Sequence, residues 1–190
     1  VVSSSFWVLI GSIFSSLANF VVFAVLARIL GPIEFGLVAL ASVFIDLCKI
    51  FLSASIADAV IQRKEWDDTF ASTAFWCNLG LAIIIFCVMV AGTLLIATNQ
   101  TDQRIGRIAI VLAIGIVIEA SSLVPLAKLK RAFRYRQLTF RTMIVNIVTG
   151  GIGVLLAWYG LGVWALVAQR LLSAIGTAAG TWLLAKWRPN

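Results

Sequence analysis

The chain has 190 residues, of which 62% are hydrophobic and only 12% are charged, and its formal net charge is +7. A soluble globular domain has about 45–50% apolar and about 25% charged residues, so this composition excludes a water-soluble protein. The positive charge therefore needs a membrane explanation before a nucleic-acid one. The sequence contains no histidine, which excludes Ser-His and Cys-His catalysis and most zinc chemistry. We expect no enzymatic activity, no metal site and no cofactor.

Apolar windows of about 20 residues, long enough for a helix to cross a bilayer, occur six times. They predict membrane-spanning helices at about 6–27, 36–58, 71–97, 108–127, 142–159 and 161–185. Only the short segment 159–162 separates the last two helices, which predicts a tight helical hairpin. The predicted fold class is all-α, a polytopic membrane protein with six transmembrane helices. The chain opens with VVSSS rather than Met, and we expect it to be one part of a longer protein.

Lys and Arg are distributed unequally between the two sets of loops. Ten of them lie in the segments after the second, fourth and sixth helices, and three lie in the opposite loops. Because basic loops stay on the cytoplasmic side, both ends of the segment are predicted to be cytoplasmic. The largest group is the predicted basic loop 128–141, whose cations are Lys128, Lys130, Arg131, Arg134, Arg136 and Arg141. We interpret this loop as a topological anchor that contacts membrane lipids, and we expect no nucleic-acid partner.

Ionisable residues inside a membrane are costly and normally face a bundle interior or a water-filled path. The second helix carries Asp46 and Lys49, three residues apart and therefore on one side. One interpretation is an internal Asp46–Lys49 ion pair that holds the bundle together. The other is a polar stripe that lines a path.

Three further helices carry polar residues within their predicted spans. Asn19 lies in the first helix, Glu119 in the fourth, and Gln169 and Arg170 in the sixth. A Glu119–Arg170 partnership is conceivable, although the sequence does not place the two together. Four helices with polar groups that need a shared interior favour a transporter over a passive anchor.

The chain resembles the bacterial polysaccharide transporters, the oligosaccharide-lipid flippases of the multidrug/oligosaccharidyl-lipid/polysaccharide exporter superfamily. The matching segments, in chain order, are ARILGPIEFGLVALASVFI (27–45), SIADAVIQRKEWDDTFASTAFWCNL (55–79), VPLAKLKRAFRYRQL (124–138) and GLGVWALVAQRLLSA (160–174) with KWRP (186–189). Together they cover nearly the whole chain.

The resemblance implies a larger protein in which two helical bundles face each other across a central cavity and alternate between inward-open and outward-open states. This chain would be the N-terminal bundle, with the C-terminal half of the same protein as its partner. Family members move oligosaccharides linked to polyprenyl pyrophosphate across the bacterial inner membrane. A lipid-linked oligosaccharide is therefore the implied substrate, and polysaccharide assembly machinery is a further implied partner.

The resemblance also suggests roles for individual residues. Lys49 and Arg170 become cavity cations that attract pyrophosphate, and Arg28 is placed at the outer mouth. The full set of substrate-path candidates is Lys49, Arg170, Asp46, Arg28, Asn19 and Gln169.

Two rival functions stay open. In a multidrug/cation antiporter of the same superfamily, Asp46, Asp58 and Glu119 would bind the coupling ion, although Lys49 and Arg170 weigh against an acidic cavity. In a membrane assembly subunit without a transport path, Asp46 and Lys49 would form a closed pair with no cavity beside it.

Overall fold

The structure, a computed structural model, describes residues 2–62, 68–96 and 103–187. These residues form six helices and no strand, which confirms the all-α class. The helices are α1 (Val2–Leu30), α2 (Pro32–Gln62), α3 (Asp68–Ile96), α4 (Gln103–Arg131), α5 (Tyr135–Trp158) and α6 (Val163–Ala185).

Five of these helices are long and apolar enough to cross a membrane, judged over the described residues. Their apolar spans are Ile13–Leu30, Asp68–Thr93, Ile105–Arg131, Tyr135–Trp158 and Val163–Ala185. The described part of the remaining helix, α2, does not meet the same criteria of length and apolar composition. Its membrane span at 36–58 therefore stays a prediction. Backbone groups in hydrocarbon find no water to bond, and a helix satisfies them within its own segment.

Helix α4 lies at the centre of the bundle and packs against α2, α3 and α6. The main cluster of buried residues joins these four helices and includes Ala41, Ala82, Ile116 and Val167. Small side chains at such contacts let helices approach closely inside a membrane. Helix α5 packs against α6, and α1 packs along α5.

The two ends of the bundle differ in which helices they join. At the end that carries the α1–α2 and α5–α6 connections, here called the turn end, Leu26 of α1 and Val38 of α2 cluster with Leu166 of α6. At the other end, here called the basic end, Phe75 of α3 packs edge-on against Trp187, just beyond α6, with ring centroids 6.0 Å apart. The turn end therefore joins α1 to α2, whereas the basic end ties α3 to α6.

At the turn end, the residue types explain both the start of α2 and the connection between α5 and α6. Pro32 begins α2, where its missing N–H costs nothing, and Glu34 lies in the first turn of that helix. The predicted α5–α6 hairpin is confirmed, because α5 ends at Trp158 and α6 begins at Val163. Gly162 in this turn has φ +55°, and a Cβ there would lie 2.9 Å from the Glu34 carboxylate. Glycine is therefore needed both for the backbone angle and for the close approach of α2.

The prediction of a basic loop at 128–141 was wrong in its secondary structure. Lys128, Lys130 and Arg131 form the last turn of α4, and α5 begins at Tyr135, so Arg136 and Arg141 are helical. Only the short connection that contains Arg134 is outside the helices. Lys and Arg are good helix formers, and cations at the end of α4 face the negative end of its dipole.

Helix α1 packs along α5, and Gly150 of α5 is one point of close approach between the two helices. A Cβ at Gly150 would lie 2.7 Å from Val22 of α1, whereas a Cβ at the adjacent Gly151 has no neighbour within 4 Å. We expect Gly150→Leu to separate α1 from α5 and to lower the free energy of unfolding by about 1–3 kcal/mol. The measurement is thermal unfolding of the full-length protein in detergent. The control, Gly151→Leu, should leave the melting temperature unchanged; equal losses from both variants would contradict the contact.

Candidate functional site

The helix contacts indicate a cleft between two helix pairs, because α1 packs along α5, α2 packs along α4, and α6 connects α4 with α5. Helices α1 and α2 meet at the turn end, where the rings of Phe23 and Phe35 are 4.7 Å apart and perpendicular. The cleft is defined here as the space bounded by α1, α2, α4, α5 and α6 on the basic side of this contact.

Arg170 of α6 is directed into the cleft. Leu166 belongs to the turn-end cluster that contains Leu26 of α1 and Val38 of α2. Arg170 follows Leu166 by four residues, about one turn, so it lies on the same side of α6 and closer to the basic end. Its side chain is exposed. A cation thus faces the space between α1 and α2.

The two flanking helices direct polar groups to the same space. Asp46 follows Phe35 by eleven residues, about three turns, so it lies on the side of α2 that faces α1. Asn19 precedes Phe23 by four residues and lies on the side of α1 that faces α2. Both side chains are exposed. Helical spacing therefore places an amide of α1, a carboxylate of α2 and a guanidinium of α6 on the sides of their helices that border the cleft.

Lys49 pairs with Glu119 of α4, and the Nζ–Oε1 distance is 2.8 Å. The two side chains are 35% and 37% exposed, and both line a small cavity of about 180 Å³ with Ile116, Ala120 and other residues. In the part of the chain that the structure describes, no ion pair joins Asp46 to Lys49 or Glu119 to Arg170. The structure therefore replaces both pairings considered from the sequence with one that crosses from α2 to α4.

This pairing leaves Asp46 and Arg170 outside the ion pair. Each partner of the ion pair lowers the cost of holding the other among apolar side chains. Arg170 and Asp46 lie on different walls and are both exposed. Among the described candidates, Arg170 and Asp46 thus stay exposed, whereas Lys49 and Glu119 neutralise each other at the α2–α4 contact.

The sequence analysis missed a polar row on α6 that continues from Arg170. Ser173, Thr177 and Thr181 follow at intervals of three and four residues, which places all of them on one side of the helix. Thr177 Oγ1 donates to the Ser173 carbonyl at 2.7 Å, and Thr181 Oγ1 donates to the Thr177 carbonyl at 2.6 Å. Arg141 of α5 completes the row by donating to Thr181. The helical spacing was the signal that could have revealed it.

Three other residues were considered for the substrate path or for ion coupling, and the structure does not place them in the cleft: Gln169, Arg28 and Asp58. Gln169 packs against α5, since its side chain lies 3.0 Å from the position of a Cβ at Gly153. Arg28 follows Asn19 by nine residues, which places it on the opposite side of α1. The side chain of Asp58 lies outside the described residues. The roles assigned to these residues stay predictions.

Five helices of the described part that are long and apolar enough to cross a membrane, in an all-α bundle, define a multi-pass helical membrane protein. Comparison with known families identifies the family of the chain. The model of the family described as "Polysaccharide biosynthesis protein" matches residues 25–190. The chain belongs to this family. No solved structure matches the chain.

Named relatives are similar to this chain over part of their length. The succinoglycan biosynthesis transport protein ExoT of Rhizobium meliloti is 30% identical over 173 residues, which are 90% of this chain and 35% of that protein. The lipopolysaccharide biosynthesis protein WzxC of Escherichia coli is 35% identical over 89 residues, which are 47% of this chain and 18% of that protein. The chain thus spans about a third of the length of the first relative.

The Lys49–Glu119 pair predicts energetic coupling between these residues. We expect Lys49→Met and Glu119→Gln each to destabilise the full-length protein, and the double variant to lose about 1 kcal/mol less than the sum of the two. Each single substitution leaves a half-buried charge without its partner, whereas the double variant removes both charges. The measurement is thermal unfolding in detergent.

A second pair of substitutions, at Asp46 and Lys49, is the matched control for this comparison of single and double variants. Asp46→Asn combined with Lys49→Met should give additive losses, because these side chains form no ion pair. Coupling between Asp46 and Lys49, with none between Lys49 and Glu119, would contradict the observed geometry.

Proposed function

We propose that the chain is one bundle of an exporter that moves polysaccharide precursors linked to polyprenyl pyrophosphate across the bacterial inner membrane. The bundle carries no catalytic chemistry. It forms half of a central cavity that opens alternately to the two sides of the membrane, and the other half comes from the rest of the full-length protein.

The observation that carries this proposal is the exposed Arg170 on the cleft side of a membrane-spanning helix. An exposed guanidinium within an apolar span is costly unless it faces water or a ligand. A pyrophosphate supplies oxygen acceptors that a guanidinium binds through two parallel hydrogen bonds. Asn19 and the hydroxyls of Ser173 and Thr177 add groups of the kind that bind sugars.

The relatives support transport as the activity. ExoT is named for transport in succinoglycan biosynthesis, and WzxC is named for lipopolysaccharide biosynthesis. Both names concern the biosynthesis of a polysaccharide or lipopolysaccharide, and the name of ExoT adds transport. The excess of Lys and Arg at the basic end supports the orientation in which that end faces the cytoplasm.

The ion pair between α2 and α4 favours this function over a cation antiporter. Glu119 is one of the three carboxylates considered for a coupling ion, and it accepts a hydrogen bond from Lys49 at 2.8 Å. A carboxylate neutralised in this way offers less charge to a cation. The pair also ties α2 to α4 within the bundle, which suits a bundle that moves as one body during alternating access.

The proposal predicts that export depends on Arg170. We expect Arg170→Ala in the full-length protein to lower surface polysaccharide about tenfold or more in a strain that lacks its own exporter, because charge-assisted hydrogen bonds to the pyrophosphate are lost. Arg170→Lys, which keeps the charge but loses the bidentate geometry, should restore part of the export.

Lys186 provides the matched control, because it is an exposed cation at the basic end, beyond the end of α6. Lys186→Ala should leave the amount of surface polysaccharide unchanged. Protein levels in the membrane are compared by immunoblot for every variant. Normal export by Arg170→Ala at normal protein levels would remove the residue from the mechanism.

A further inference from the structure

A second concave surface lies between α5 and α6 near the basic end. It has a volume of about 760 Å³, and its walls include Phe140, Ile144, Leu183 and Leu184. Gly176 and Gly180 lie on its α6 side, where α5 side chains approach within about 3 Å of where a Cβ would lie. This surface is here called the α5–α6 groove.

The outer wall of the groove faces away from the cleft side of α6 and from α1. Leu183 follows Arg170 by thirteen residues, which places it about 140° around α6 from the cleft side. On α5, the side that contacts α1 carries Thr139 and Gly150. Phe140 and Ile144 lie on a different side of this helix. Phe140 is 65% exposed and Leu183 is 77% exposed. The groove therefore opens on the periphery of the bundle.

Cations lie at only one end of this apolar surface. Arg136 and Arg141 line the groove in the first two turns of α5. Nη1 of Arg141 is directed to the Thr177 carbonyl and the Thr181 hydroxyl of α6, whereas its buried Nε has no hydrogen-bond partner. Arg136 is exposed at the rim. An anion at the basic end of the groove would be next to two guanidinium groups.

The length of the groove fits one membrane leaflet. Arg136 and Ile144 are eight residues apart, a rise of about 12 Å along a helix. One leaflet contributes about 15 Å of hydrocarbon, half of the bilayer core. A chain that begins at the arginines would thus extend along Ile144, Val145 and Gly176 within a single leaflet.

We infer that the α5–α6 groove binds an anionic phospholipid, with its phosphate at Arg136 and Arg141 and an acyl chain between α5 and α6. Charge complementarity decides the occupant, since the arginines lie where a headgroup would be and the apolar walls lie where a chain would be. The groove borders the polar row of α6, because Arg141 contributes to both. The inference does not depend on which substrate the cleft carries.

Native mass spectrometry of the full-length protein, purified with equal amounts of phosphatidylglycerol and phosphatidylethanolamine, tests the site. We expect retained phosphatidylglycerol in excess, and about a fivefold loss of it in Arg136→Gln. Ala179→Trp fills the groove from the α6 side and should lower retention of both lipids. Arg134→Gln, a control on the adjacent connection outside the groove, should change neither.

A photoreactive phenylalanine at position 179, used in native membranes, shows whether a lipid or a protein segment occupies the α5–α6 groove. Cross-links to phospholipid are expected. Cross-links to another segment of the protein would overturn the inference, because the groove would then be a helix contact. It would also be overturned by equal retention of the two lipids, or by retention that Arg136→Gln and Ala179→Trp leave unchanged.

Discussion

The hydrocarbon interior of the membrane is the constraint on which the rest of this structure depends. It offers no hydrogen-bond partner to a backbone group and no solvent to a charge, so the chain forms helices and directs its charged groups to shared spaces. Lys49 meets Glu119 across the α2–α4 contact for this reason. Hydroxyls within the helices follow the same rule, since Thr177 and Thr181 donate to carbonyls of their own helix.

Much of the fold follows from local signals that act over a few residues. Apolar windows located the helices, Pro32 marked the start of α2, and the glycine-containing segment 159–162 marked the hairpin. The helical character of 128–141 was missed because its charge suggested a loop. Lys and Arg, however, form helices well, and their long side chains allow a helix to extend beyond the apolar core.

The partners of charged residues could not be predicted in the same way. Spacing places Asp46 and Lys49 on one side of α2, but it does not reveal which helix lies opposite that side. Lys49 lies next to α4 and Asp46 faces the space towards α1, although only three residues separate them. The outcome depends on how α4 packs at the centre of the bundle, which is a property of the whole fold. The polar row on α6, by contrast, was present in the spacing alone.

The close approach of Glu34 to Gly162 has an electrostatic consequence for both helices that begin at the turn end. Glu34 lies in the first turn of α2, and Gly162 caps the start of α6. The positive ends of two helix dipoles therefore share a single carboxylate. These are the helices that carry Lys49 and Arg170, so one acidic side chain at the rim balances the N-terminal charge of both cation-bearing helices.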